Sequence, residues 1–413
     1  MNLSKKNILV NLERAFVLSP FFLIFAIVFN VPDSKHLFSR LVLLVAAYCA
    51  LRYRYVWPYD CLNKSKIAIV GIVIISYFFL MQFLNDGNSD LPRSMLYILV
   101  YFIFLPTDYI NTVFCFRIIS LGGFFSGLSA IYGVFILGFE RAGYIASNPI
   151  PFSFYSGACF LASGFLFYLI WKKGRCSRLD YMLFMLSAVL SMTAVILTQT
   201  RATFLSVFMV VCLLASFLLT RKPSFKRLLS IIMFFIVLFT AFGSVPDVRD
   251  RVFDAWEQIE KYSDDNYQSS TGIRIKLWIS GVDIFSERAF LGNSKEDVQS
   301  IVESRITTGV FPEFLKPFLV HPNPNFHNQF IQSLVDSGLV GLMLVCLLVS
   351  APYLLVIKSN CIGLRLFGIS ISLFVVICLS FDSLFLYNQT VILFCALLIM
   401  MFGCCKDVLR EEE

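Results

Sequence analysis

Long runs of apolar residues recur along the chain and are separated by short polar segments. The runs at 67–84 and 230–243 contain no charged residue. About 20 apolar residues in a helix fill the roughly 30 Å hydrocarbon core of a bilayer. The pattern therefore predicts twelve membrane-spanning helices, over residues 15–31, 37–51, 67–84, 95–106, 113–138, 150–171, 181–198, 202–220, 228–243, 328–357, 363–381 and 389–403.

One long polar segment, residues 244–327, interrupts this pattern between the ninth and tenth predicted spans. It holds 13 of the 27 acidic residues of the chain. Structureless loops of this length are uncommon, and apolar residues at helical spacing predict three helices in it. These are centred on 248–259, 273–285 and, more weakly, 298–306. We expect three parts: transmembrane helices 1–9 over 1–243, a helical outer loop over 244–327, and transmembrane helices 10–12 with a short tail over 328–413.

Composition restricts the class of protein. Hydrophobic residues make up 58% of the chain and charged residues 15%, against roughly 45–50% and about 25% in soluble domains. This excludes a soluble enzyme, a disordered chain and a nucleic-acid-binding domain. A membrane β-barrel would alternate polar and apolar residues along strands of about ten residues, which the uncharged runs do not do. The predicted fold class is an all-α polytopic membrane protein.

The distribution of Lys and Arg predicts the orientation in the membrane. Cytoplasmic loops collect basic residues. With the N-terminus inside, the short outer segments hold only Lys35, Arg40, Arg93, Arg141 and Arg201, and most of the other basic residues face inward. Both termini are therefore expected in the cytoplasm. The long loop is expected outside, in the periplasm of a Gram-negative organism.

The predicted turn between the seventh and eighth spans, Thr198–Thr203, is rich in polar groups and contains Arg201. An arginine at the edge of the hydrocarbon is costly unless it snorkels or pairs with an anion. Its planar guanidinium suits phosphate, and the hydroxyls of Thr198 and Thr200 would add donors. A snorkelling anchor that only fixes the topology is the alternative.

The segment Thr271–Trp278 is predicted to open the second helix of the outer loop. It would place Arg274 and Lys276 in the first turn, where the helix dipole disfavours cations. A bound anion would offset that cost, because helix N-termini present free N–H groups to phosphates. A solvated basic face explains the same residues without a ligand.

The segment His321–Asn328 precedes the tenth span and contains two of the three histidines. Its prolines prevent a helix, and Asn325 is the expected N-cap, which would put His327 in the first helical turn. The helix terminus and nearby arginines should favour a neutral imidazole, which is what a general base needs. His321 and Asn328 would contact substrate. A capping or structural histidine is the alternative, and no second ligand at H-x-x-x-H spacing predicts a metal.

These three stretches, in this order, resemble the O-antigen ligase family. The resemblance rests on Thr-Gln-Thr-Arg-Ala-Thr at Thr198–Thr203, on Gly272–Arg274 with Trp278 nearby, and on His327-Asn328 before a span with Asp-x-Gly at Asp336–Gly338. It covers the second half of the chain in motifs and the whole chain in span count and loop position. The wider superfamily includes O-antigen polymerases and bacterial protein O-oligosaccharyltransferases.

The resemblance implies a fold similar to GT-C-type glycosyltransferases and a reaction on the periplasmic side of the bacterial inner membrane. A glycan would move from an undecaprenyl-pyrophosphate donor to a sugar hydroxyl of the lipid A core, with inversion and without a metal or cofactor. Carried over by position, Arg201 and Arg274 would bind the pyrophosphate and His327 would accept the proton of the acceptor hydroxyl. Fixed cations can stabilise a departing pyrophosphate by themselves.

Three other functions remain open at this point. A polymerase would add glycan to glycan on the same carrier. A lipid-linked glycan flippase or other transporter would carry ionisable residues near the middle of broken spans, where few candidates are found. A scaffolding membrane protein would need none of the three residues. The expected partners are the lipid-linked glycan, the lipid A core and membrane lipids, with no nucleic acid and with the oligomeric state open.

Overall fold

The computed structural model describes residues 3–53, 62–221, 270–321 and 323–412, together with the isolated positions 229, 232, 233, 236 and 240. These residues are helical or lie in turns and short loops, and none of them forms a strand. Fold class therefore agrees with the prediction of an all-α polytopic membrane protein. The predicted ninth span and the first predicted helix of the outer loop, near Trp256, lie outside the described residues.

Fourteen α-helices are present over the described residues. They are α1 Leu3–Phe22, α2 Ser34–Arg52, α3 Leu62–Asn85, α4 Asp90–Phe104, α5 Thr112–Ile131, α6 Pro149–Lys172, α7 Arg178–Leu197, α8 Arg201–Arg221, α9 Ser270–Glu287, α10 Lys295–Thr307, α11 Lys316–Leu319, α12 Gln329–Val356, α13 Ile362–Phe381 and α14 Asn388–Glu412. Single π-helical turns follow α1 and α5, at Leu23–Ile27 and Tyr132–Ile136, and short 3-10 turns lie at Thr107–Tyr109, Glu313–Leu315 and Leu384–Leu386.

Nine helices over the described residues are long and apolar enough to cross a membrane. They correspond to nine of the predicted spans. The fourth and eighth predicted spans are also helices, but α4 has only 15 residues and the apolar part of α8 is the shorter stretch Arg201–Phe217. In the outer segment, α9 and α10 confirm the second and third predicted helices.

The centre of the bundle is formed by α6 and α14, whose spans are the most buried. Small residues let the neighbouring helices approach closely, as is usual between membrane helices. A Cβ at Gly123 of α5 would overlap Ser187 of α7, and one at Gly127 would overlap Leu190. Helix α13 packs against α6, α8 and α12, and α9 packs against α12. These contacts bring the ends of α8, α9, α12 and α13 to one region.

Helix α12 is broken at Gly338, whereas the sequence predicted one continuous span. Gly338 has φ +63° and ψ −165°, a conformation that glycine adopts without steric penalty. The turn after α9 docks at the break. The N–H of Leu339 donates to the carbonyl of Ala289 (2.9 Å), and the N–H of Asn293 donates to that of Val335 (2.7 Å). Helix α9 is thereby fixed to α12 by backbone hydrogen bonds.

Candidate functional site

The turn before α12 carries His327. Asn328 is the N-cap, since its side-chain oxygen accepts from the N–H groups of Phe330 (2.9 Å) and Ile331 (3.2 Å). The prediction that Asn325 caps the helix, with His327 inside its first turn, is therefore wrong. His327 precedes the helix in the left-handed region, at φ +49°, and its N–H donates to the Oδ1 of Asn325 at 2.8 Å. Asn325 thus stabilises the turn before His327, and Asn328 caps the helix that follows it.

The imidazole of His327 lies beside a buried carboxylate. Its Nδ1 is 3.5 Å from Oδ2 of Asp382, the residue that ends α13, and the two side chains are 26% and 2% exposed. Both atoms are buried, and neither has a hydrogen-bond partner among the described residues. The other carboxylate oxygen of Asp382 accepts from the N–H of Ser383 at 2.7 Å. No local pattern in the sequence assigns Asp382 to the site.

Gln332, in the first turn of α12, links the two segments that carry these residues. Its Oε1 accepts from the N–H of Phe326 (3.1 Å) and from the hydroxyl of Ser383 (3.4 Å). Phe326 precedes His327, and Ser383 follows Asp382. One buried amide therefore bonds to the backbone next to His327 and to the side chain next to Asp382, and joins the two segments.

Tyr387 places a phenol hydroxyl near the carboxylate of Asp382. Burial raises the pKa of Tyr387 to about 12, and the negative charge of Asp382 contributes to the shift. The phenol therefore stays protonated over the physiological range. In this form it can donate a hydrogen bond.

Arg201 begins α8, after a turn that is held by Arg141. The guanidinium of Arg141 donates to the carbonyl of Thr198 (Nε, 2.9 Å) and to the hydroxyl of Thr200 (Nη2, 3.3 Å). The preceding loop therefore fixes the backbone from which Arg201 projects. The sequence predicts Arg141 as one of the few outer cations, and nothing local in it predicts these two hydrogen bonds.

A contact further along α8 places Arg201 at the same end of the bundle as Asp382. The hydroxyl of Ser206, in the second turn of α8, lies 3.2 Å from the thiol of Cys378. Cys378 is one helical turn before Asp382 in α13. Since the two helices lie side by side at this level, the start of α8, at Arg201, and the end of α13, next to Asp382, lie at the same end of the bundle.

Arg274 lies on α9, one helical turn before Trp278. The Trp278 ring centroid is 6.4 Å from that of Phe381, the residue before Asp382. Residues four apart share a face of a helix, so Arg274 lies on the face that α9 turns toward the end of α13. The helix is described from Ser270, which puts Arg274 beyond the first turn, contrary to the prediction.

The remaining predicted residues are placed differently. The hydroxyl of Thr198 is fully buried and donates to the carbonyl of Val195 at 2.7 Å, and the hydroxyl of Thr200, which receives the bond from Arg141, is also buried. With the cap Asn328, these groups make hydrogen bonds within the protein. Lys276 is two residues from Arg274, roughly 200° around the helix. His321 is exposed, and its Nδ1 accepts from the N–H of Asn323 at 3.1 Å.

The arrangement therefore brings together an imidazole supported by a carboxylate and the segments that carry two arginines. A supported imidazole can accept a proton from a hydroxyl. Guanidinium groups in fixed positions can stabilise the negative charge that develops on a leaving phosphate. Both functions are required when a hydroxyl displaces a phosphate from a sugar.

Comparison with known proteins points to one family. Residues 186–346 match a family model described as O-antigen ligase. The chain is also 26% identical over 191 residues to the O-antigen ligase of Escherichia coli strain K12. That match covers 46% of this chain and 44% of the length of the relative. The family match includes Arg201, Arg274 and His327, and ends before Asp382.

Proposed function

We propose that this chain is a membrane glycosyltransferase that joins a lipid-linked glycan to the lipid A core, as its similarity to O-antigen ligases over residues 186–346 suggests. The donor is a glycan on undecaprenyl pyrophosphate, and the acceptor is a sugar hydroxyl of the core. The proposal rests chiefly on the 3.5 Å approach of His327 to Asp382, at the end of the bundle where Arg201 begins α8.

In the proposed step, the acceptor oxygen attacks the anomeric carbon of the donor sugar. The bond from that carbon to the pyrophosphate oxygen breaks, and its electron pair leaves with the pyrophosphate. His327 accepts the hydroxyl proton. Because the Nδ1 of His327 faces Asp382, its Nε2 is the nitrogen that meets the hydroxyl. A single displacement inverts the configuration of the sugar.

Asp382 is a positioning residue in this scheme. Its negative charge, 3.5 Å from Nδ1, stabilises the imidazolium that forms when His327 accepts the proton, as carboxylates do for histidine bases elsewhere. Arg201 and Arg274 bind the pyrophosphate and stabilise its growing charge, because guanidinium groups match phosphate oxygens in geometry. The step uses these side chains and neither a metal nor a cofactor.

The other predicted contacts receive revised roles. Thr198, Thr200 and Asn328 fix the backbone around Arg201 and His327, since their polar groups bond within the protein. Lys276 and His321 are more accessible. We assign them to contacts with the sugars of the donor or acceptor.

We further propose that the reaction takes place on the periplasmic side of the inner membrane, with both termini in the cytoplasm. The asymmetry of Lys and Arg between the predicted loops supports this orientation. Both substrates are lipids, which explains why the arginines lie at a membrane surface. The division into 1–243, 244–327 and 328–413 would then separate membrane helices from a periplasmic segment.

The test is transfer by purified full-length protein in nanodiscs, supplied with lipid-linked glycan and lipid A core. His327→Ala, Arg201→Ala and Arg274→Ala should each lower the rate by about 10²–10³-fold or more, at unchanged folding. His36→Ala is the matched control, because His36 is the third histidine and is exposed near the start of α2. It should transfer at the normal rate.

Three outcomes would contradict the proposal. Normal transfer by His327→Ala would contradict the role of His327 as the base. Glycan elongation on the carrier, without attachment to the core, would indicate a polymerase. Movement of the lipid-linked glycan across the membrane without any covalent product would indicate a transporter.

A further inference from the structure

A large apolar cavity lies between α3, α4, α12 and α14. Its volume is about 350 Å³. An engineered apolar cavity of about 150 Å³ stays dry and binds benzene, and small-molecule pockets start at about 300 Å³. Its lining is almost wholly apolar and includes Ile74, Ile98, Leu348 and Ile399. A cavity of this size and character holds an apolar ligand better than water.

The cavity is far from His327 and lies toward the other end of the bundle. Its lining on α12 runs from Leu347 to Leu355, which starts roughly 14 Å along the helix beyond the break at Gly338. On α3 the cavity is lined by residues between Lys66 and Ile75, in the first half of the helix. The opposite end of that helix, Asn85, bonds to the carbonyls of Leu291 and Asp336. The cavity therefore belongs to the half of the bilayer opposite the candidate site.

The cavity opens sideways from the bundle. Val70 of α3 is 45% exposed and Leu354 of α12 is 48% exposed, whereas Ile98 and Ile399 at the back are 3% and 5% exposed. Exposed aliphatic side chains in this part of the protein face the position of lipid chains. A chain could therefore enter between α3 and α12 without crossing a polar surface.

Of the described residues that line the cavity, Lys66 alone carries a charge. It is exposed and lies at the end of the lining on α3. Lysines at a membrane surface attract anionic lipid head groups. The stretch from Lys66 to Ile75 is roughly 13 Å long, which matches part of one acyl chain and only a small part of a polyprenyl chain.

We propose that the cavity binds one acyl chain of an anionic phospholipid from the leaflet opposite His327, with the phosphate at Lys66. This lipid is neither the donor nor the acceptor of the proposed reaction. It fills the space between four helices and ties α3 to α12.

The test measures the lipid itself, so its result is independent of transferase activity. Full-length protein is released from nanodiscs of equal phosphatidylglycerol and phosphatidylcholine and analysed by native mass spectrometry. The wild type should retain one phosphatidylglycerol per chain. Ala351→Phe, which fills the lined space, should lose it, whereas Ala68→Phe should keep it, since Ala68 is on α3 but outside the lining.

The charge requirement is tested separately. Lys66→Gln should retain the two lipids in about equal amounts. Lys358→Gln, an exposed lysine after α12 that does not line the cavity, should keep the preference for phosphatidylglycerol. The proposal is overturned if the wild type retains no lipid, if Ala351→Phe retains as much as the wild type, if Lys66→Gln keeps the preference, or if added polyprenyl phosphate replaces the phospholipid.

Discussion

The Nδ1 of His327 lies 3.5 Å from Oδ2 of Asp382, so the turn before α12 and the end of α13 meet at an imidazole and a carboxylate. We expect Asp382→Asn to lower kcat by about 10²–10⁴-fold, because the amide cannot stabilise an imidazolium. The KM values for the two substrates should stay near those of the wild type, which a purely structural role would not give. Steady-state transfer rates at varied substrate concentrations measure kcat and KM separately.

A matched control for Asp382→Asn is Asp180→Asn. Asp180 is a buried carboxylate at the start of α7, and it pairs with Arg117 at 2.8 Å. Its loss should lower stability while leaving the rate per folded molecule unchanged. Equal rate losses in the two variants would contradict a specific role of Asp382.

Arg141 supports the turn that precedes Arg201, and its removal should act on the donor. We expect Arg141→Ala to raise the KM for the lipid-linked glycan and to reduce kcat/KM by up to about 10²-fold, since a small displacement of a binding group has effects of this size. Arg141→Lys should recover part of the loss by restoring one hydrogen bond. Arg93→Ala is the control, because Arg93 is an exposed outer arginine that pairs with Asp90 one turn away. An unchanged KM for Arg141→Ala would contradict the role.

Gly338 is required by backbone geometry. We expect Gly338→Ala to reduce the free energy of unfolding by more than about 1–3 kcal/mol, because φ is +63° and a Cβ would overlap the carbonyl of Phe290. Thermal unfolding in detergent, followed by size-exclusion chromatography, measures the loss. Gly164→Ala in α6 is the control. A Cβ there meets no described atom within 4 Å, and the change should be neutral or stabilising by about 0.5–1 kcal/mol.

The outer helix α10 should lose stability in acid. The hydroxyl of Ser294 (2.7 Å) and Arg288 (2.8 Å) hold the pKa of Asp297 below its usual value. A lowered folded-state pKa contributes stability that is complete above the unfolded value of about 3.9 and is lost as pH falls through the folded value. The wild-type unfolding midpoint should therefore fall more between about pH 5 and pH 3 than that of Asp297→Asn. Glu303→Gln, at an exposed position of α10, should follow the wild type, and parallel curves for wild type and Asp297→Asn would contradict the prediction.

The membrane helices could be predicted from sequence because an apolar run of about 20 residues is what a helix needs to cross the hydrocarbon core. Length and hydrophobicity identify nine spans, and helical spacing identifies α9 and α10. The predicted ends of the helices are less accurate where two polar residues could each serve as the N-cap. Asn325 and Asn328 both suit an N-cap, and only the folded chain shows that Asn328 accepts the first N–H groups.

The partner of His327 could not be predicted because it depends on tertiary packing. Asp382 lies beyond a further membrane helix, and no local pattern connects it to the histidine. The buried amide of Gln332 joins the two segments, but a glutamine near the start of a helix has many other uses. Arg141 was similarly hidden, because its importance comes from the carbonyl and hydroxyl that it meets.

The docking of the Ala289–Asn293 turn onto the break at Gly338 also limits how substrates can arrive. Backbone hydrogen bonds on both sides of the break join α9 to α12, so α9 cannot swing away from α12 without breaking them. We therefore expect α9 to keep a fixed position against α12. The two lipid substrates of the proposed reaction would then have to reach His327 through gaps between other helices. Release of the products would depend on the same gaps.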